Sequence, residues 1–278
     1  MVSQRRLDIG SPGGDKAAMP DSATRLLILG GTTEATALAK ALATDPAFKT
    51  ILSLAGRTRT PMAAPVPVRI GGFGGAEGLA RFLAEEGIAT LIDATHPFAA
   101  RISANAAEAS RLAGIPLLAI RRPAWEAGEG DRWIEVEDMA GAARALGLVP
   151  RHVFLTIGRQ EVAAFADAPH HAYVVRSIEP IGDTLPVPRL TTIAARGPFD
   201  AQDEAALMRE AGIEVVVSKN AGGAATYGKV VAARSLGLPM VMVRRPLKPD
   251  VPSVPDAAGA LAWLRAGGHA APGTLRRV

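Results

Sequence analysis

Hydrophobic residues in this chain come in short unbroken runs set between amphipathic stretches. From Arg25 onward, runs at Leu26–Leu29, Thr50–Leu54, Val66–Ile70, Thr90–Asp93 and Leu117–Ile120 alternate with helical patterns at Glu34–Ala43, Ala76–Glu86 and Ala99–Ala113. Short apolar runs without period-two alternation suit strands buried on both faces of a parallel sheet. Their alternation with helices implies βαβ crossovers. The later chain repeats this grammar. "HVFLTIGRQE" reads as strand, glycine turn and helix, and "HAYVVRS" as the next strand. A helix capped by Asp200 then runs to Gly212, and "EVVVS" and "PMVMV" are further strands.

The repetition extends to particular residues. "EEGIATLIDATHPF…SRLAGIPLLAIRRP" lines up with "EAGIEVVVSKNAGG…ARSLGLPMVMVRRP". Gly114 and Gly237, Pro116 and Pro239, and the triplets Arg121-Arg122-Pro123 and Arg244-Arg245-Pro246 each stand 123 residues apart. Generic βα units also resemble one another, but the matched R-R-P endings favour a true duplication. The expected fold class is α/β, with two Rossmann-like domains, each a mainly parallel sheet with flanking helices, facing across a central cleft. Ligands of open α/β sheets bind at such clefts. Residues 1–24 read as a disordered leader and 25–124 as the first domain. Residues 132–266 read as the second domain and 267–278 as a loose tail. The joint falls at "WEAGEGD", with the later strands free to cross over.

Composition narrows the function. The chain has 278 residues, 48% of them apolar and 21% charged, enough to bury a sizeable core. Cysteine is absent, which excludes a disulfide framework, a cysteine–zinc site and a catalytic thiol. No histidine–carboxylate cluster suggests a metal site. The formal charge of +4 mildly favours an anionic ligand. With only 4% aromatics and no dense basic run, nucleic acid is not an expected partner. Neither a signal peptide nor a membrane-length apolar run is present, so a cytoplasmic protein without a membrane partner is expected.

The stretch "LLILGGTTEATALAKAL" carries the first chemistry. Gly30 and Gly31 let the chain turn from strand into helix, and the first turn of that helix offers unpaired N–H groups and a positive dipole end to a phosphate. Thr32 and Thr33 add hydroxyls ahead of Glu34. The full G-x-G-x-x-G spacing is missing, so a tight turn without ligand remains the alternative. The second strand ends in "AGRTRTP", with no acid to hold a ribose 2′-hydroxyl. Arg57 and Thr58 stand there instead, which suits the 2′-phosphate of NADP(H); a solvated basic loop is the plainer possibility. Gly72 and Gly74 in "IGGFGGAEGLARFL" either line the cofactor or only shape a turn. Asp93, Thr95 and His96 follow the strand Thr90–Ile92 at the functional edge of the sheet. His96 is the one histidine near that edge and is a candidate proton donor, or else orients backbone or a substrate carboxylate.

In order, "LILGGTTEA", "AGRT", "GGFGG", "DATHPFA", "GIPLLAIRRP", "TIGRQE", "GPF", "SKNAGG" and "GLPMVMVRRP" resemble the precorrin-6A reductase family over about Leu26 to Pro246. The resemblance implies a two-lobed fold and NADPH-dependent reduction of a tetrapyrrole polycarboxylate, precorrin-6A to precorrin-6B, in cobalamin biosynthesis. It implies that the Gly30–Glu34 loop and Arg57–Thr58 hold the cofactor, while "DATHPFA" and "SKNAGG" face the cleft. Asp93, Thr95, Lys219, Asn220 and Gly222 then stand on the substrate side. Of the two loops only the second carries a lysine, a compact cation suited to a carboxylate, unless Lys219 pairs with a neighbouring acid. A monomer is expected. Two other readings stay open: an NADP-dependent reductase of a different acidic small molecule, and a two-lobed anion-binding protein without chemistry.

Overall fold

The computed structural model describes residues 23–56 and 64–268. The first part of the chain forms strands Thr24–Leu29 (β1), Phe48–Leu54 (β2), Val68–Ile70 (β3), Thr90–Asp93 (β4) and Leu117–Ile120 (β5), with helices Thr33–Leu42 (α1), Ala76–Glu85 (α2) and Ala100–Ala113 (α3). Strand Arg132–Val136 (β6) and helix Met139–Ala145 (α4) follow. Next come His152–Leu155 (β7), Ala172–Ser177 (β8), Leu190–Ala194 (β9), helix Ala201–Glu210 (α5), Val215–Lys219 (β10), helix Gly228–Ser235 (α6) and Pro239–Val243 (β11). Strand Ser253–Val254 (β12) and helix Ala257–Arg265 (α7) end the described chain.

Two six-stranded sheets result, ordered β12-β5-β4-β1-β2-β3 and β6-β11-β10-β7-β8-β9, with every pairing parallel. The two-domain α/β expectation holds. The orders superpose position for position, β4 on β10 and β5 on β11, so the duplicated segments occupy equivalent places. Both faces of each sheet are covered, which is why the strands read as unbroken apolar runs. Along β1, Leu26 and Ile28 pack under α1 and α7, while Leu27 and Leu29 pack under α2 and α3.

Two expectations are corrected. The segment after β7 is a short 3-10 turn, Val162–Phe165, not a helix. Pro169 disfavours helical backbone at Ala168 before it, and the chain enters β8 at Ala172. The second correction concerns the stretch 132–266. Residues 253–265, assigned by sequence to the second domain, pack on the first sheet. Ala119 N donates to Pro252 O at 2.8 Å and Arg121 N to Val254 O at 2.8 Å, adding β12 beside β5. Ala260 and Leu264 of α7 then share the apolar cluster of Leu38 and Leu42 in α1. In the same way β6, which follows β5 in the chain, pairs with β11 in the second sheet. Each R-R-P ending therefore leads the chain across to the other lobe. The crossing units are built alike: Asp138 caps α4 by accepting from Gly141 N at 2.6 Å, and Asp256 caps α7 by accepting from Gly259 N at 2.8 Å.

The crossings are bolted together. Arg245 donates to the carbonyls of Arg122 and Asn220, each at 2.8 Å, and to those of Pro123 at 2.9 Å and Ala221 at 3.0 Å. Gly222, with φ of +68°, lets the second loop press against the first crossing, since a Cβ there would stand 2.1 Å from Pro123 O.

Candidate active site

The glycine loop begins where β1 ends. Gly31 has φ of +113°, a conformation side chains rarely adopt, and a Cβ placed on it would meet nothing within 4 Å. Thr32 is the N-cap of α1: its hydroxyl oxygen accepts from Ala35 N at 3.2 Å and donates to Ala94 O at 2.8 Å, fixing the loop to the end of β4. Gly30 serves packing, because a Cβ there would lie 2.6 Å from Leu52 Cδ1. Thr33 is exposed and donates to Glu34 at 3.1 Å. Glu34 accepts two hydrogen bonds from Arg122, at 3.0 and 3.1 Å. Burial alone would raise the Glu34 carboxyl; its own backbone N–H and Arg122 outweigh this and hold it below the usual range. Arg122 also donates to Ala221 O at 2.8 Å, so one guanidinium joins the glycine loop to the second lobe. Gly72 and Gly74 sit in the turn before α2, and a Cβ on either would meet only open space. Arg57 and Thr58 lie outside the described residues.

After β4, Asp93 is buried at 1% side-chain exposure. It accepts from Thr95 N at 3.1 Å, Thr95 Oγ1 at 2.6 Å and Arg121 at 2.7 Å. Burial would raise its pKa, but Arg121 and the hydroxyls of Ser103 and Thr95 bring it below the ordinary value. Asp93 therefore sets the position of Arg121 and Thr95. His96 Nδ1 accepts from Phe98 N at 3.2 Å, which puts the ring proton on Nε2. Burial, followed by the charges of Lys219, Arg122, Lys248 and Arg245, lowers His96 to about 3. Such an imidazole is neutral at pH 7 and has no second proton to give.

Three of those four cations belong to the second half of the chain, so "DATHPF" and "SKNAGG" do meet across the cleft. Lys219 Nζ lies 5.4 Å from the Phe98 ring centroid and bonds Glu161 at 2.9 Å. Asn220 is committed to the first crossing: its side chain accepts from Trp125 N and donates to Trp125 O, both at 2.8 Å. Thr32, Glu34, Thr95, Arg122, Arg245 and Lys248 line a cavity of about 150 Å³ at this junction.

Sequence reasoning missed Glu161 and Lys248. Glu161 stands three residues after Gly158 as Glu34 does after Gly31, so carrying the repeat comparison through β1 and β7 would have found it. Lys248 gave no such sign; it arrives through the second crossing. Its ammonium donates to His96 O at 3.0 Å and Thr95 Oγ1 at 3.3 Å. Burial, partly opposed by Asp93, lowers it to about 8. Among the described residues, no group of three His, Cys, Asp or Glu could hold a metal ion, and no helix is long and apolar enough to cross a membrane.

Two all-parallel sheets, with a glycine loop opening a helix at the edge of a cation-rich cleft, define a Rossmann-like protein. The family model described as precorrin-6x reductase CbiJ/CobK matches residues 25–265. A precorrin-6A reductase of Sinorhizobium sp is 54% identical over 237 residues, covering 85% of this chain and 91% of that protein. A precorrin-6A reductase of Rhodobacter capsulatus is 49% identical over 241 residues, covering 87% and 96%. The solved structure of CobK precorrin-6A reductase matches with a TM-score of 0.84 at 48% identity, over 90% of this chain and 100% of that one. The chain belongs to the precorrin-6x reductase family and is an oxidoreductase.

Proposed function

We propose that the chain reduces precorrin-6A to precorrin-6B in cobalamin biosynthesis, using NADPH, as a cytoplasmic monomer. The observation that carries this reading is the cavity between the start of α1 and the cations of both crossings. At about 150 Å³ it holds neither ligand whole, but it brings the start of the glycine-loop helix and cations of both crossings to one point, which suits the place where an anionic cofactor and a polyanionic macrocycle would meet. When bound, NADPH supplies hydride; the chain supplies binding, orientation and exclusion of water. Gly31 leaves open space at a helix start, which fits a pyrophosphate. Gly72 needs neither positive φ nor missing bulk for the fold's own sake, which supports a ligand passing close above it. Arg57 and Thr58 take the 2′-phosphate by their place after β2.

On the substrate side, Thr95 and Lys219 are the contacts offered to the macrocycle. Asp93 orients Arg121, and Asn220 and Gly222 hold the loop to the crossing. A substrate carboxylate then takes the place of Glu161 at Lys219. The Lys219–Glu161 pair also favours a second reading, in which Lys219 serves only the fold. His96 acts as a neutral hydrogen-bond donor through Nε2, and water delivers the proton.

Titration with both cofactors tests the reading. NADPH is expected to bind at least about tenfold more tightly than NADH, since an arginine–phosphate contact contributes about 1.5–3 kcal/mol. Arg57→Ala should erase most of that preference; equal dissociation constants for the wild type would remove the NADPH assignment. Lys219→Ala should raise KM for precorrin-6A while NADPH binding stays unchanged, and wild-type kinetics would leave Lys219 a structural role.

A further inference from the structure

We propose that Arg69 is a positioning residue for the cofactor: it holds the turn at residues 71–75 as a preformed glycine shelf that receives the adenine end of NADPH. This deepens the reductase reading and rests on it for the identity of the ligand. Arg69 stands in β3, and its guanidinium donates through Nη1 to Gly71 O at 2.7 Å and through Nη2 to Gly72 O at 2.8 Å. The same guanidinium lies 3.8 Å from the centroid of the Phe73 ring and 5.1 Å from that of Phe82 in α2. The two rings meet edge to face, 5.2 Å apart. Carbonyl bonds and cation–π contacts thus fix one guanidinium between the turn and the helix that follows it. Gly78 completes the clamp, since a Cβ there would stand 1.7 Å from Phe73 O.

The glycines of the turn face open space. Gly71, Gly74 and Gly75 take φ of +121°, +78° and +107°, and a Cβ on any of them, or on Gly72, would meet nothing within 4 Å. The fold itself does not call for this construction. Tracing the strand registers outward from Ile92 and from Val217, which the sequence repeat aligns, brings Arg69 to the place of Ile193 in the second sheet. Counting back five residues from the aligned Gly87 and Gly212 brings Phe82 to the place of Leu207. The second lobe therefore makes the same strand, turn and helix with an aliphatic pair, and with one glycine, Gly197, between β9 and α5. Among the described residues, clamp and shelf belong to the lobe that carries the Gly30–Gly31 loop.

The turn's place in the sheet says which part of the cofactor lies there. Gly30 N donates to Ser53 O and Gly71 N to Leu54 O, both at 2.9 Å, so the turns after β1 and β3 flank the end of β2. A pyrophosphate at Gly31 and a 2′-phosphate after β2 set the direction of the molecule, and the adenine is the group that continues toward β3. A flat ring can lie close on backbone that has no Cβ atoms, and a shelf already held by Arg69 needs no ordering when the ring arrives.

The test is competitive binding and steady-state kinetics on the full chain. NADPH is titrated by nicotinamide fluorescence, and adenosine 2′,5′-bisphosphate, which carries only the adenine end, is titrated as its competitor. The variants are Arg69→Met, which removes the clamp, Arg69→Lys, which keeps a cation able to bond one carbonyl, and Gly72→Leu, which puts bulk into open space where the fold does not oppose it. Thermal melts confirm that each is folded. Arg69→Met is expected to weaken NADPH and the bisphosphate by the same factor, about tenfold, because the turn must then be ordered at the expense of binding. Arg69→Lys should recover part of that loss, and Gly72→Leu should weaken both ligands while melting as the wild type does. The loss should appear in KM for NADPH rather than in kcat, a split that a general loosening of the lobe would not give. Weakened NADPH with an unchanged bisphosphate would overturn the adenine assignment. Unchanged constants in a folded Arg69→Met would overturn the positioning role, and unchanged constants in Gly72→Leu the shelf itself. A wild type that binds neither ligand would end the NADPH reading and the shelf with it, an outcome the variants alone cannot produce.

Discussion

At His96 a side chain's chemistry is decided by residues far away in the sequence. Its folded pKa near 3 lies below the ~6.5 of a free imidazole, so between those values the unfolded chain binds a proton that the folded chain excludes. The stability contributed by the neutral ring is complete above pH ~6.5 and is lost as pH falls toward 3. His96→Asn should therefore flatten the fall of melting temperature between about pH 6.5 and 4. It should also leave the inflections of the kcat profile in that range unmoved, whereas a vanished inflection would restore His96 as an acid. Gly31 is governed locally. With φ of +113°, Gly31→Ala should cost about 1–3 kcal/mol in denaturant unfolding, and NADPH should bind more weakly to what remains folded. The glycine loop was legible because strand, turn and helix lie next to one another in the chain. The state of His96 was not, because Lys219, Arg245 and Lys248 reach it only through the folded cleft.

Among the elements, the inner strands and the edge strand β3 announced themselves, whereas the edge strands β6, β9 and β12 did not. Two-sided burial leaves a largely apolar run in β1, β4, β5, β10 and β11, whereas β6 reads R-W-I-E-V with Arg132, Ile134 and Glu135 exposed, and β12 has two residues. The similarity of α4 and α7 also lay in view as V-x-D-x-x-G, but its meaning depends on which sheet each helix covers. Asp138→Ala and Asp256→Ala should each cost about 1 kcal/mol, read as a shift in urea midpoint, because both remove the same cap. A larger loss is expected between β8 and α5. There Arg176 and Glu204 form a buried ion pair, with the guanidinium 3.6 Å from the centroid of the Phe199 ring. Glu204→Ala leaves a buried charge without its partner and should lower stability by about 3–5 kcal/mol. A loss under about 1 kcal/mol would mean that water compensates Arg176.

For the whole molecule, the sequence indicated two lobes and a cleft, but put the joint near Trp125 and kept the end of the chain in the second lobe. Nothing in a linear pattern says that a strand pairs with its own sheet or with the other one. Ending the chain at Pro246 would bare the edge of β5 and uncover Leu38 and Leu42 of α1. Such a chain should lose both its sharp thermal transition and its NADPH binding; a truncated protein that binds NADPH as the full chain does would show β12 and α7 to be dispensable. The crossings carry one further consequence. Residues from β1 to α4 form one unit and residues from β7 to α7 another, each ending in a strand–helix arm that completes the other's sheet. A lone half-length polypeptide of this design would have an unfilled sheet edge and a homeless arm. Two copies would satisfy each other as an arm-exchanged homodimer with the ligand cleft on its twofold axis. Joining such a dimer end to end gives the order of elements in the present chain, where a ten-residue helix follows the first glycine loop, a four-residue 3-10 turn follows the second, and Lys219 stands across the cleft.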